Sequence, residues 1–192
     1  MERKKYKCIL IGDFNVGKTS VLRAYMDLPV RDVVSTLGID FFTKTVAVNG
    51  NDIYLTIWDT AGAERFHSLT HSYMNGSDIV IIVYDLSKKD VNLPYWLRRA
   101  EEANPSVIGV LGCKNDLTVA FSENMYDILH PWTRQSYNIV TGVCSSRQKK
   151  SVQTFFKRCL LALPDAKTKT DLTDLRLPPQ FDKNKKNRTC CT

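Results

Sequence analysis

Gly12-Asp13-Phe14-Asn15-Val16-Gly17-Lys18-Thr19 fits the pattern G-x-x-x-x-G-K-[ST], the form of a loop that wraps a polyphosphate. It directly follows an apolar run, Cys8-Ile9-Leu10-Ile11, that reads as a buried strand. A helical pattern comes next, with Val21, Leu22 and Tyr25 on one face. Strand, glycine loop, helix is the context this motif requires. The chemistry explains the residue types. Gly12 and Gly17 let the backbone approach phosphate oxygens, with successive N–H groups turned inward as an anion nest. The helix N-terminus, carrying Ser20, adds its positive end. Lys18 brings a point charge to the outer phosphates, and Thr19 a hydroxyl for Mg²⁺. The bland alternative is a glycine-rich turn that matches by accident. With glycine at about 7% of residues, chance would give the pattern in on the order of one percent of chains this long. Residues 13–20 are therefore a candidate phosphate site.

The 192 residues suit one domain plus a tail and allow a sizeable core. A hydrophobic share of 43% with 24% charged residues points to a globular chain rather than a disordered one. The longest apolar runs, such as Ile79 to Tyr84, are too short to span a bilayer. Met1-Glu2-Arg3-Lys4-Lys5 lacks the apolar core of a signal peptide, and Glu2 excludes N-myristoylation, so a cytosolic protein is expected. None of the six cysteines forms a C-x-x-C pair, which argues against zinc and against a disulfide framework. Cys8 and Cys159 sit in apolar patterns and read as core. Net charge is +7, with basic residues concentrated at the two ends. Solvated termini are the bland reading and an acidic membrane surface the sharper one, with nucleic acid a weak third because no recognition motif is present.

Along the chain, Ile39 to Val48 and Ile53 to Trp58 flank Asn49-Gly50, a hairpin signature. Residues 60–77 lack a clear period and read as a loop with a short helix. Ile79 to Tyr84 and Val107 to Gly112 are continuous apolar runs, the mark of strands covered on both faces. Pro94 to Ala103 reads as helix. Pro131 suits the start of another, reaching about Tyr137. Ile139 to Cys144 reads as a last strand. Ser151 is the expected cap of a final helix whose Val152, Phe155, Phe156, Cys159, Leu160 and Leu163 share one face. The expected fold is α/β: a six-stranded, mostly parallel sheet with one antiparallel edge hairpin and helices on both faces. Ligands of such sheets bind beyond the carboxyl ends of the strands. Gly12–Thr19, Asp59–Gly62, Cys113–Asp116 and Ser145–Arg147 all fall there. The expected domain spans 1–164. Residues 165–192, rich in Thr, Lys, Asp, Asn and Pro, read as a flexible tail.

Trp58-Asp59-Thr60-Ala61-Gly62, with the phosphate loop upstream, resembles the Ras superfamily of small GTPases. Leu37-Gly38-Ile39-Asp40-Phe41, Arg65-Phe66, Ser72-Tyr73 with Gly76, and Ile81-Ile82-Val83-Tyr84-Asp85 resemble the Rab family within it. The resemblance covers residues 6 to about 163 and the tail end. It implies a GTP/GDP switch in vesicle-mediated membrane trafficking, using Mg²⁺. Lys18, Thr36 and Gly62 would serve catalysis. Thr19, Thr36 and Asp59 would hold Mg²⁺, Asp59 through water. Gly62 would give its N–H to the third phosphate. Asp116 would accept from the guanine ring N–H and amino group, Lys114 would lie along the base, and Ser145, Ser146 and Arg147 would meet the guanine carbonyl with backbone N–H groups. Ile39, Phe41, Trp58 and Tyr73 would form the effector surface. Cys190-Cys191-Thr192 resembles a Rab tail carrying two geranylgeranyl groups, and with the nearby lysines would provide the double signal that stable anchoring needs. The implied partners are effector, exchange-factor, GTPase-activating and prenyl-chaperone proteins and the cytoplasmic face of an endomembrane. A monomer without nucleic acid is expected.

Four positions depart from the family. Ala63 stands where the family has glutamine, so the residue that orients the attacking water is missing. Phe14 places a ring where a small residue is usual, in the path of an arginine finger. Cys113 replaces the asparagine before Lys114. Leu28-Pro29 supplies no aromatic for the guanine edge. The expectation is slow intrinsic hydrolysis with loosened nucleotide grip. The competing reading is a GTP-binding module with negligible hydrolysis. An ATP-using enzyme is disfavoured by Asp116 and Ser145-Ser146.

Overall fold

In the computed structural model, residues 3–29, 38–60, 72–88, 91–117 and 138–164 are described. The elements in chain order are β1 (Lys4–Ile11), α1 (Lys18–Tyr25), β2 (Ile39–Val48), β3 (Asn51–Thr60), β4 (Ile79–Asp85), α2 (Leu93–Glu102), β5 (Val107–Cys113), β6 (Asn138–Val143) and α3 (Lys149–Leu161). The strands form one sheet in the order β2-β3-β1-β4-β5-β6. All neighbours are parallel except β2 and β3.

Side-chain periodicity explains this layout. Every residue of β4 and of β5 is buried, as continuous apolar runs require when helices cover both faces. The edge strand β2 alternates exposed and half-buried residues over most of its length. Its hairpin to β3 turns at Asn49 and Gly50, with φ of 49° and 77°, the pair of positive values that an Asn-Gly turn adopts. Val48 and Asn51 then pair, and the register runs to Ile39 opposite Thr60.

The core lies on both faces of the sheet. One layer joins Leu10, Ile57, Ile81 and Leu111 to α1 and α3, where Tyr25 stacks on Phe156 with ring centroids 3.9 Å apart. Cys8 and Cys159, both fully buried, belong to it, as their apolar settings suggest. The other layer joins Ile9, Val80, Ile82 and Ile108 to Leu93, Trp96, Leu97 and Ala100 of α2.

The final helix differs from its expected start. It begins at Lys149, with Gln148 at its N-cap and no side-chain cap. Ser151 instead donates its hydroxyl to the Gln148 carbonyl at 2.7 Å. The reason is local. Gln148 N–H bonds the Ser145 carbonyl, so the chain has already coiled three residues before Ser151. The helix expected at 131–137 lies outside the described residues.

Because β3, β1, β4, β5 and β6 run parallel, their carboxyl ends share one edge. Ile11, Thr60, Asp85, Cys113 and Val143 are the last residues of those strands, and the loops that matter chemically leave from them.

Candidate functional site

The phosphate loop is shaped by its first residue. Gly12 has φ 139°, and a Cβ there would come 2.1 Å from the Val83 carbonyl oxygen. The loop must therefore press against the β4 backbone, and only glycine permits it. Val16, 2% exposed, plugs the loop into the core. Asn15 takes φ 59°, and Gly17 caps α1 at φ 106° without a side-chain bond. The N–H groups of the first helical turn, where half-buried Ser20 sits, thus face the loop without a capping side chain. Phe14 projects, 52% exposed.

Lys18 is folded beneath this loop. It is 5% exposed, and its ammonium donates to the carbonyls of Gly12 at 2.9 Å and Asp13 at 2.8 Å. Burial lowers its pKa to about 8, with the Asp59 and Asp13 carboxylates acting in the opposite sense. The Asp13 side chain points elsewhere. Its Oδ1 accepts the indole N–H of Trp96 on α2 at 2.9 Å.

Thr19 and Asp59 meet at the next strand end. The Thr19 hydroxyl donates to Asp59 Oδ2 at 2.6 Å. Asp59 is fully buried, and its other oxygen, Oδ1, has no hydrogen-bond partner among the described residues. Burial raises its pKa to about 6, against the Thr19 bond and the Lys18 charge, which lower it. A buried carboxylate oxygen without a partner costs free energy unless a cation or donor meets it. One hydroxyl and one carboxylate suit Mg²⁺, which keeps several waters and takes phosphate oxygens as further ligands. The residues present therefore fit that ion. Among the described residues no cluster of three or more His, Cys, Asp or Glu offers an all-protein metal cage.

The base-side loops are stitched together around Lys114, itself at φ 61°. Its ammonium donates to the Asn15 carbonyl at 2.8 Å and pairs with Asp85 Oδ2 at 2.8 Å. Asp85, 3% exposed, also accepts the Ser87 N–H and hydroxyl. Asp116 sits in a short helical turn, Asn115–Leu117. The Ser145 hydroxyl, with smaller help from the Arg147 and Lys114 charges, holds the Asp116 pKa below the usual carboxylate range. Arg147 Nη1 lies 3.3 Å from Asp116 Oδ2, and the Arg147 N–H bonds Ser145 Oγ at 3.2 Å. Ser146, half-buried, lies between them. Cys113 and Cys144, both buried, touch through their sulfurs at 3.4 Å beneath these loops. Asn115 N–H to the Cys144 carbonyl closes the seam.

On the hairpin side, Phe41 and Trp58 are cross-strand partners with centroids 5.7 Å apart, and Trp58 is 5.7 Å from Tyr73. Phe41 is 65% exposed and Tyr73 36%, with Ile39 half-buried beside them. The Lys7 ammonium caps Trp58 from 5.2 Å.

The structure thus places residues 12–20, Asp59, Lys114, Asp116 and 145–147 at one edge of the sheet. Thr36, Gly62, Ala63, Cys190 and Cys191 lie outside the described residues. Two contributors escaped the sequence reading. Asp85 carried a signal, since it ends a strand at the same edge. Trp96 carried none, because its contact with Asp13 spans 83 residues.

Comparison with known proteins places the chain in a family. The Ras family model matches residues 7–164. A Ras-related protein, RABC2b of Arabidopsis thaliana, is 35% identical over 82% of this chain and 79% of its own length. The Ras-related protein Rab-10 of Caenorhabditis elegans is 43% identical over 59% of each chain. Rab-10 of Diplobatis ommata is 46% identical over 58% of each. With the Ras family model covering most of the chain and a relative 35% identical over 82% of it, the chain belongs to the Ras family of small GTPases, within its Rab group.

Proposed function

We propose that the protein is a GTP/GDP switch of vesicle-mediated membrane traffic with slow intrinsic hydrolysis. The observation that supports it best is the convergence of Lys18, Thr19, Asp59, Lys114 and Asp116 on one sheet edge. In this reading the loop N–H groups of residues 13–19 hold the phosphates. Lys18 turns its ammonium from the Gly12 and Asp13 carbonyls, both within 2.9 Å, toward the outer phosphates. Thr19 and Asp59, joined by Thr36, hold Mg²⁺, which when bound neutralises phosphate charge. Asp116 reads guanine by accepting two N–H groups, Lys114 lies along the base, and the N–H groups of 145–147 meet its carbonyl. Gly62 would contribute its N–H to the third phosphate, where a positioned water would form the new P–O bond as the bond to the bridging oxygen breaks, releasing GDP and inorganic phosphate.

Ala63 cannot orient the water, and Phe14, 52% exposed at the loop tip, crowds the approach of a partner's arginine. These two residues also favour the second reading, a GTP-binding module that stays loaded. In the GTP state effectors would read Ile39, Phe41, Trp58 and Tyr73. Exchange factors, GTPase-activating proteins and a prenyl chaperone complete the partners. Residues 165–192 would tether a monomer to the cytoplasmic face of an endomembrane through lipidated Cys190 and Cys191. No described helix is long and apolar enough to cross a membrane.

The test is the identity and ratio of nucleotides released from protein purified in Mg²⁺. Guanine nucleotide with an excess of GTP over GDP is the expected result. Adenine nucleotide, or none, would sink the proposal.

A further inference from the structure

We infer that Trp96 is a positioning residue for the phosphate loop: its indole N–H holds the Asp13 carboxylate against α2 and out of the anion nest. The inference rests on the nucleotide-binding reading above.

A carboxylate inside a phosphate loop is a liability. Asp13 follows Gly12, whose backbone is pressed against Val83. The Asp13 carbonyl already accepts from Lys18 at 2.8 Å, so the carboxylate and the ammonium belong to neighbouring groups. Its charge is felt by Lys18. Two donors therefore compete for the carboxylate. If Lys18 took it, the ammonium meant for phosphate would be neutralised and a like charge would face the incoming anion. Trp96 wins at 2.9 Å from a fixed position. It is 5% exposed, Tyr95 meets its ring edge-on at 5.2 Å, and Leu93, Leu97 and Ala100 bury the same helix face. Indole is a donor only and carries no charge. It can hold the carboxylate without adding a second cation that would bind phosphate in the wrong place. Phenylalanine would keep the packing and lose the donor.

Hydrogen bonds to charged groups contribute about 1.5–3 kcal/mol, and 1.4 kcal/mol is tenfold in an equilibrium constant. The experiment measures release of methylanthraniloyl-GDP in Mg²⁺ from the unmodified protein, Trp96→Phe, Asp13→Ala and the double variant. Trp96→Phe should release the probe about tenfold faster, and raised salt should shrink the difference, because the fault is a freed charge. Removing the carboxylate should cure it: the double variant should release no faster than Asp13→Ala alone. A double variant as fast as Trp96→Phe would show that ring packing matters rather than the carboxylate, and would overturn the inference. Asp13→Glu, which keeps Trp96 but overreaches its N–H, provides a second arm if Trp96→Phe does not fold. It should also release faster, and unchanged release would count against the inference. An unmodified protein that never binds the probe would overturn the nucleotide reading itself, and this inference with it.

Discussion

The Thr19 hydroxyl donates to one oxygen of Asp59 at 2.6 Å and leaves the other buried and without a partner among the described residues. That asymmetry makes the metal-free site costly. Asp59 has its pKa raised by burial to about 6 from an ordinary 3.8. A raised acid pKa means that the folded state binds the proton more tightly. The associated stability is full below the ordinary value and is lost as pH rises through 6. Over that window the loss is about 3 kcal/mol. Asp59→Asn should therefore raise the melting temperature of nucleotide-free protein in EDTA at pH 7 by roughly 5–10 °C, with little gain at pH 4. The same change should abolish the Mg²⁺ dependence of GDP release. A variant less stable than the unmodified protein at pH 7 would contradict this.

Lys18 sends the opposite signal. Its pKa is lowered by burial to about 8, so the folded state gives up that proton more readily than the unfolded chain. The corresponding stability is present above the ordinary 10.5 and is lost as pH falls through 8. Phosphate reverses the preference, because it needs the ammonium. GDP binding at pH 8.5 should take up the larger part of one proton, and at pH 7 about a tenth of one. Calorimetry in buffers of differing ionisation enthalpy reads this directly. Equal uptake at the two pH values would exclude Lys18 as the phosphate's counter-charge.

Much of this architecture is legible in the residues themselves. Runs such as Ile79–Tyr84 and Val107–Gly112 announce strands covered on both faces, and Asn49-Gly50 announces the hairpin. The strand-end rule places Gly12–Thr19, Asp59, Asp116 and Ser145 at one edge from the sequence alone. What stays hidden is long-range side-chain meeting. Asp13 to Trp96 depends on how α2 packs over the sheet, and Lys114 to Asp85 on two strand ends lying side by side. No local pattern encodes either. The helix start at Lys149 rather than Ser151 is set by backbone coiling from Ser145, which side-chain capping preference does not report.

Ala63 carries the catalytic expectation. A methyl group neither orients water nor stabilises charge. Ala63→Gln should raise single-turnover GTP hydrolysis several-fold without changing GDP release, since in the proposed function the position would serve the attacking water and not the base. Phe14→Ser should add little to intrinsic hydrolysis, yet increase stimulation by an activator that supplies arginine, because the obstructing ring is gone. An unmodified protein that already turns over as fast as Ala63→Gln would remove the case for impaired hydrolysis.

Lys114 joins the phosphate loop to the base loop, so its loss should be felt in two ways. Its ammonium holds the Asn15 carbonyl and neutralises Asp85, which is 3% exposed. Burial alone would push the Asp85 pKa up, but the Lys114 and Ser87 hydrogen bonds hold it below the usual carboxylate range. That stability is present above the ordinary carboxylate pKa and fades as pH falls through the lowered one. Lys114→Met strands a buried carboxylate, an error that typically costs 3–5 kcal/mol. The deficit should narrow toward acid pH, as Asp85 in the variant takes up a proton. Adding Asp85→Asn should recover part of the lost stability. On the proposed function it should not recover GDP affinity, because Asn15, and the base along which Lys114 would lie, remain without their lysine. Urea melts at pH 5 and 7, together with GDP release rates, separate the two roles. Recovery of both by Asp85→Asn would mean that Lys114 serves only the ion pair.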